Sequence, residues 1–200
     1  MKSQIINLLS GCMLSFLLIQ CGDKKPASST TEEFPTQAAP SYGGFESQLK
    51  WGEHLVIVGA CHVCHTPKKL TASGWVLDSS RWLSGHPAQT PVANVDQKVM
   101  VAKGFVVTTD LTEWVGPWGV SYTANLTPDD TGIGPWTEEQ FFTALRQGKY
   151  KGLAGSRSLI PPMPWEMYRN MTDNEMSAVF AYLRSIKPVK NLVPPPLPPK

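Results

Sequence analysis

From Phe45 onward, apolar positions begin to recur along the chain. In "FESQLKWGEHLVIVGA" Leu49, Trp51, Leu55, Val56 and Val58 fall at mostly helical spacings, which predicts a helix over about 46–60. Gly52 inside it costs about 1 kcal/mol relative to alanine, so its presence points to close approach by another helix. Two later stretches carry stronger start signals. In "GPWTEEQFFTALRQGKY" Thr137 and Gln140 form a capping-box pattern ahead of Phe141, Phe142 and Leu145, and Gly148 is the natural stop. Thr172 and Glu175 repeat the device in "MTDNEMSAVFAYLRSI", where Met176, Val179, Phe180, Leu183 and Ile186 hold one face of a helix.

The region from 66 to 122 lacks such periodicity and is loop-rich, with Pro67, Pro87, Pro91 and Gly104. Only "KGFVVTTDLTEWVGPWGVSY" gathers the β-branched and aromatic residues that suit a short hairpin. Met100, in "KVMVAKG", reads as a strand or loop residue. "TPDDTG" reads as a turn, because Asp129 and Asp130 lack the ligand periodicity of calcium loops. The tail "KPVKNLVPPPLPPK" cannot remain helical and is expected as an extended polyproline-like strip, lying over the surface or free.

The N-terminus has a different pattern. Lys2 is followed by the apolar run "IINLLSGCMLSFLLIQ", which has the basic start and apolar middle of a secretory signal and is short for a permanent membrane span. The run ends in "LLIQC", which resembles a bacterial lipobox, whose cysteine carries lipid after cleavage. That resemblance makes Cys21 the expected membrane anchor, although Gln20 stands where lipoboxes prefer a small residue. Residues 22–44 are rich in Pro, Ser, Thr, Ala and Gly, a linker composition. The expected organisation is a signal peptide over 1–20, a lipid-anchored linker over 21–44, a domain over 45–190 and a proline-rich tail over 191–200. The domain is expected outside the cytoplasm, on the periplasmic or cell-envelope side.

At 200 residues and 42% hydrophobic content, the chain can build one ordinary core once its ends are set aside. The 18 basic and 16 acidic residues are scattered without long runs, so no electrostatic footprint for nucleic acid exists. Cysteine arithmetic is more informative. Cys12 leaves with the signal, Cys21 takes lipid, and Cys61 and Cys64 remain, so no separate disulfide framework is available.

Those two cysteines lie in "GACHVCHTP". A zinc site would need a fourth ligand beyond Cys61, Cys64 and one histidine, and His54 or His86 would have to serve alone. A thioredoxin-like redox pair needs its CxxC at a helix start after a strand, whereas here the motif follows a helical pattern. Covalent haem attachment uses every position: the two thiols add to the two vinyl groups of one porphyrin, and His65 lies beneath the iron as proximal ligand. A second CxxCH is absent from the sequence, so one haem could be attached this way.

With this motif in place the chain resembles a class I cytochrome c: helix, CxxCH, loops, middle helix, methionine loop and C-terminal helix. The segments "ANLTPDDTGIGPWTEEQFFTALRQGK" and "LIPPMPWEMYRNMTDNEMSAVFAYLRSI" look like those of monohaem cytochromes that serve bacterial periplasmic dehydrogenases. The resemblance spans about residues 45–195 and implies a mainly α cytochrome c fold with a loop-rich insertion and a short β-hairpin. It also implies that Gly52 with Val179 and Tyr182 forms the crossing of first and last helices.

Among Met100, Met163, Met167, Met171 and Met176, Met163 is the candidate sixth ligand. Pro161, Pro162 and Pro164 stiffen its backbone, and the resemblance selects the same residue. Met176, on the apolar face of the last helix, reads as core filler. His54, His62 and His86 have bland readings as surface, spacer and loop residues. Trp118 or Trp136 and Arg146 or Arg157 could reach haem propionates, with packing and solvation as their ordinary roles.

The implied function is one-electron transfer by a single covalent haem c, linking a dehydrogenase or other donor to an oxidase or another cytochrome, with no catalysis by the chain itself. The alternative is a haem-based sensor or ligand-binding module with an open sixth iron position. A peroxidase would need a second haem or a distal acid-base group that the sequence does not offer.

Overall fold

The structure, a computed structural model, describes residues 41–200. The expected signal peptide, Cys21 and most of the expected linker lie outside the described residues.

Helix α1 (Gln48–Val58) starts where the Ser47 hydroxyl accepts the Lys50 N–H at 3.2 Å. It is shorter than the expected 46–60. Gly59 N–H closes on Leu55 O at 2.8 Å and Ala60 N–H on Ile57 O at 3.0 Å, a tightening last turn. Ala60 then takes φ 55°, the left-handed region, and turns the chain. The cysteine motif therefore forms its own short helix α2 (Cys61–His65) rather than the end of α1.

Helices α4 (Glu138–Gln147) and α6 (Asp173–Ser185) begin at the expected threonines, each with a complete capping box. Gln140 N–H and Glu175 N–H each reach their threonine hydroxyl at 3.2 Å. Gly148, at φ 63°, ends α4.

Helices α1 and α6 cross at Gly52. A Cβ there would lie 2.0 Å from the Ala178 carbonyl oxygen and 2.8 Å from Tyr182 Cβ, so only glycine lets the backbones approach this closely. Tyr182 is one of the two expected partners. The other expected partner, Val179, joins the core instead, and its place at the crossing is taken by Ala178, one residue earlier. That core comprises Val56, Leu83, Ile133, Phe141, Val179 and Leu183, with Trp82, Trp136 and Phe180 packed around it. Each such side chain contributes about 1.5–3 kcal/mol on burial.

The segment from 66 to 122 contains more structure than its sequence suggests. Strands β1 (Lys68–Thr71) and β2 (Gly74–Leu77) pair as a hairpin directly after the motif. Helix α3 (Gln97–Ala102) contains Met100, which is therefore helical, not a strand or loop residue; the Asp96 carboxylate starts that helix by accepting the Val99 N–H at 3.1 Å. Strands β3 (Val107–Thr108), β4 (Glu113–Gly116) and β5 (Gly119–Tyr122) make an antiparallel sheet, and β4–β5 is the expected hairpin. At "TPDDTG" Asp129 accepts the Thr131 N–H at 2.9 Å, forming the turn read from sequence.

The tail is more firmly placed than expected. Leu197 pairs antiparallel with Val120 through two N–H···O bonds of 2.9 Å, and a Cβ at Gly119 would lie 2.0 Å from the Leu197 carbonyl oxygen. Asn191 is buried: its Nδ2 donates to Ser84 O at 2.7 Å and His86 O at 2.8 Å, and its Oδ1 accepts Ala88 N–H at 3.0 Å. Helix α5 (Trp165–Tyr168) follows the proline-rich methionine segment. Among the described residues, no helix is long and apolar enough to cross a membrane.

Candidate functional site

Helix α2 holds Cys61, Cys64 and His65 within one and a half turns, so both thiols and the imidazole project from one short, rigid element. His65 is buried, and its Nδ1 lies 2.8 Å from the Ala124 carbonyl oxygen. A carbonyl can only accept, so Nδ1 carries the hydrogen and the neutral ring keeps its lone pair on Nε2. Burial lowers the His65 pKa, against the bond to Ala124, which raises it, so the neutral ring is favoured. A fixed tautomer with a second-nitrogen anchor is the arrangement a metal-ligating histidine requires.

Two loops hold the backbone that carries the ring. Gly85 N–H bonds His65 O at 2.8 Å, Leu83 N–H bonds the Thr66 hydroxyl at 3.0 Å, and His86 N–H bonds Thr123 O at 3.0 Å. Gly85 makes this possible, because at φ 73° a Cβ would lie 2.5 Å from the Thr123 carbonyl oxygen.

Cys61 and Cys64 are free thiols. Burial pushes Cys61 up to about 11; it also raises Cys64, against the neighbouring Lys68 ammonium. Both are therefore protonated at neutral pH. Among the described residues, no group of three or more His, Cys, Asp or Glu is arranged to hold a metal ion. His54 is exposed beside the Phe45 ring at 4.7 Å, and His86 is buried against the Tyr122 ring. The motif also follows helix α1 and not a strand, unlike a thioredoxin-like pair.

Met163 is half-buried in the loop before α5. Pro161 O accepts the Ser121 hydroxyl at 2.7 Å, and Met163 O accepts Trp165 N–H at 3.0 Å. At the other end of α5 the Tyr168 hydroxyl donates to Gly59 O at 2.7 Å, two residues before Cys61. Burial pushes the Tyr168 hydroxyl up to about 12, with Cys61 and Cys64 adding to the shift. The methionine segment is thus tied to β5 on one side and to the start of the cysteine motif on the other. Met176 is fully buried in the core and Met167 is 70% exposed.

The residues considered for propionates have partners within the protein. Arg146 bonds Asp173 and Arg169 O, Arg157 stacks over Tyr150 at 4.0 Å, and Trp118 Nε1 donates to the Ser121 hydroxyl at 3.1 Å. Trp136 packs against the core. Ala124, Ser121 and Tyr168 are not legible in the sequence. A backbone acceptor has no side-chain signature, and single polar residues in loops have no periodicity to reveal them.

The donor set fits covalent haem. Two free thiols sit at CxxC spacing on the helix that carries an oriented, neutral imidazole with an available Nε2.

No family model matches the chain. Its sequence is 28% identical to the fructose dehydrogenase cytochrome subunit of Gluconobacter japonicus, over 82% of this chain and 26% of that protein. It is 27% identical to the gluconate 2-dehydrogenase cytochrome c subunit of Pantoea cypripedii, over 72% of this chain and 24% of that protein. With the alcohol dehydrogenase (quinone) cytochrome c subunit of Gluconobacter oxydans it shares 28% identity, over 76% of this chain and 24% of that protein. The matched region therefore spans between 24% and 26% of the length of these curated relatives. The chain is similar to cytochrome c subunits of bacterial dehydrogenases.

Proposed function

We propose that the protein is a one-electron carrier with a cytochrome c fold and a single covalent haem c, held by Cys61 and Cys64 and ligated by His65 and Met163. It accepts electrons from a dehydrogenase-class donor and passes them to an oxidase or another cytochrome. The observation that carries the reading is the His65 Nδ1–H bond to Ala124 O at 2.8 Å, which leaves Nε2 free on the helix of the two thiols. Likeness to dehydrogenase cytochrome subunits supports the same donor class. The signal-like run and Cys21 support export and lipid anchoring.

Haem bound at this site supplies a ferric/ferrous couple that changes by one electron. The protein's own residues set its conditions. The Ala124 bond stops the His65 ring from rotating and raises its basicity. The prolines around Met163 limit the entropy lost when its thioether is fixed, and a thioether ligand would favour the reduced state relative to a second histidine.

The test is an optical spectrum of the exported protein and of Met163→Ala, each oxidised and reduced. Expected are low-spin c-type bands and a weak long-wavelength sulfur-to-iron band that the variant loses. A high-spin parent that binds carbon monoxide without denaturant would instead establish an open sixth position, the sensor reading.

A further inference from the structure

His86 lies against the loops that hold His65, and half of its ring chemistry is unused. It is 1% exposed, and its ring sits 4.7 Å from that of Tyr122. The direction of each proton can be read along its contacts. The Thr112 hydroxyl donates to Asp110 Oδ1 at 2.7 Å, so toward His86 its oxygen accepts, and His86 Nδ1, 2.9 Å away, carries the hydrogen. Nε2 then presents a lone pair when the ring is neutral. It is buried without a hydrogen-bond partner and faces Glu113 Oε2 at 3.9 Å. Glu113 is itself buried, its Oε1 accepting Ala93 N–H at 2.8 Å.

A lone pair facing a carboxylate away from water is repulsive, and one proton between them turns repulsion into attraction. Burial holds His86 below its ordinary value and Glu113 above its own, which brings their titration ranges together. Asp110 favours the added proton and Arg81 opposes it; Tyr122, the remaining titratable neighbour, stays neutral.

We propose that His86 and Glu113 form a one-proton store whose occupancy is linked to the oxidation state of the centre at His65. This rests on the electron-carrier reading above. The two histidines hang from the same two backbone segments. Gly85 bonds His65 O, His86 bonds Thr123 O, and Ala124, next along, takes the His65 ring. These bonds join the two histidines through a short run of backbone. At an effective dielectric of about 20, unit charges on the order of 10 Å apart change each other's equilibria roughly tenfold. Each electron accepted from the donor is accompanied by uptake of a fraction of a proton from water onto the pair, up to about half at a tenfold coupling. Passing the electron on returns that fraction to water, and only N–H or O–H bonds form and break.

The test combines NMR titration of His86 in isotope-labelled, haem-loaded protein, oxidised and reduced, with potentiometry from pH 4.5 to 8.5. The midpoint of His86 is expected about one pH unit higher in the reduced protein, with the reduction potential falling as pH rises through that window. Glu113→Gln and His86→Gln should each flatten that fall while the c-type spectrum persists. The proposal is overturned if His86 titrates identically in both oxidation states, or if both variants keep the parent's pH dependence. A chain that carries no covalent haem would instead overturn the electron-carrier reading, visible in the spectrum before any titration.

Discussion

The Tyr168 hydroxyl donates to the Gly59 carbonyl at 2.7 Å, joining the methionine segment to the turn that precedes Cys61. A single hydrogen bond thus spans the two halves of the proposed iron site. Tyr168→Phe keeps the ring and removes the bond. The expected cost is about 1 kcal/mol in chemical denaturation. In urea titration the sulfur-to-iron band of the variant should vanish at a lower concentration than in the parent. Coincident loss in both proteins would show that the bond does not hold the methionine segment.

Gly52 gives a harsher test of packing. A Cβ 2.0 Å from the Ala178 carbonyl oxygen cannot be accommodated by a rotamer change, since the obstacle is backbone. Gly52→Ala must push α1 from α6, and overpacking of this kind costs about 1–3 kcal/mol. Helix propensity favours alanine by about 1 kcal/mol, so a net loss in thermal denaturation would show that the crossing decides the sign.

The parts of this fold legible in sequence are those written in local chemistry. Thr137 and Thr172 announce α4 and α6 because a capping box is a short-range hydrogen-bond pattern. Gly52 signals the crossing because glycine inside a helix needs a reason. The break before Cys61 is invisible there because Ala60, not glycine, takes the left-handed turn. Hairpin β1–β2 escapes notice because Leu70 and Trp75 are exposed and no alternation of burial marks it. His86 reads as an ordinary loop histidine, and only the arrival of Thr112, Glu113 and Tyr122 from the sheet makes it buried.

The tail shows the same limit, and its docking yields a third prediction. Asn191 fixes it by satisfying the carbonyls of Ser84 and His86 and the N–H of Ala88. Asn191→Ala leaves three backbone groups unpartnered, each worth about 1 kcal/mol or more when buried, so a loss of about 3 kcal/mol is expected. Leu197→Ala should cost less than about 0.5 kcal/mol, because that residue pairs with Val120 through its backbone. Equal losses in urea denaturation would contradict this assignment.

Glu113 gives the pH dependence. Burial raises its folded pKa above 4.5, with the Ala93 bond opposing and Asp110 adding. The folded state therefore binds this proton more tightly than the unfolded chain does. As pH climbs from 4.5 through the folded value, stability falls, and the deficit persists at higher pH. Glu113→Gln removes that cost while its amide oxygen can still accept Ala93 N–H. The variant should be the more stable of the two at pH 8, with the gap closing toward pH 4.5. His86 acts in the opposite sense. Its folded pKa lies below 6.5, so its contribution is complete above that pH and is lost as pH falls through the folded value. Urea denaturation of the parent, Glu113→Gln and His86→Gln at pH 8, 6.5 and 5 separates the two slopes. A gap between parent and Glu113→Gln that stays constant across this range would mean that Glu113 keeps its ordinary pKa on folding, and that burial does not penalise its charge.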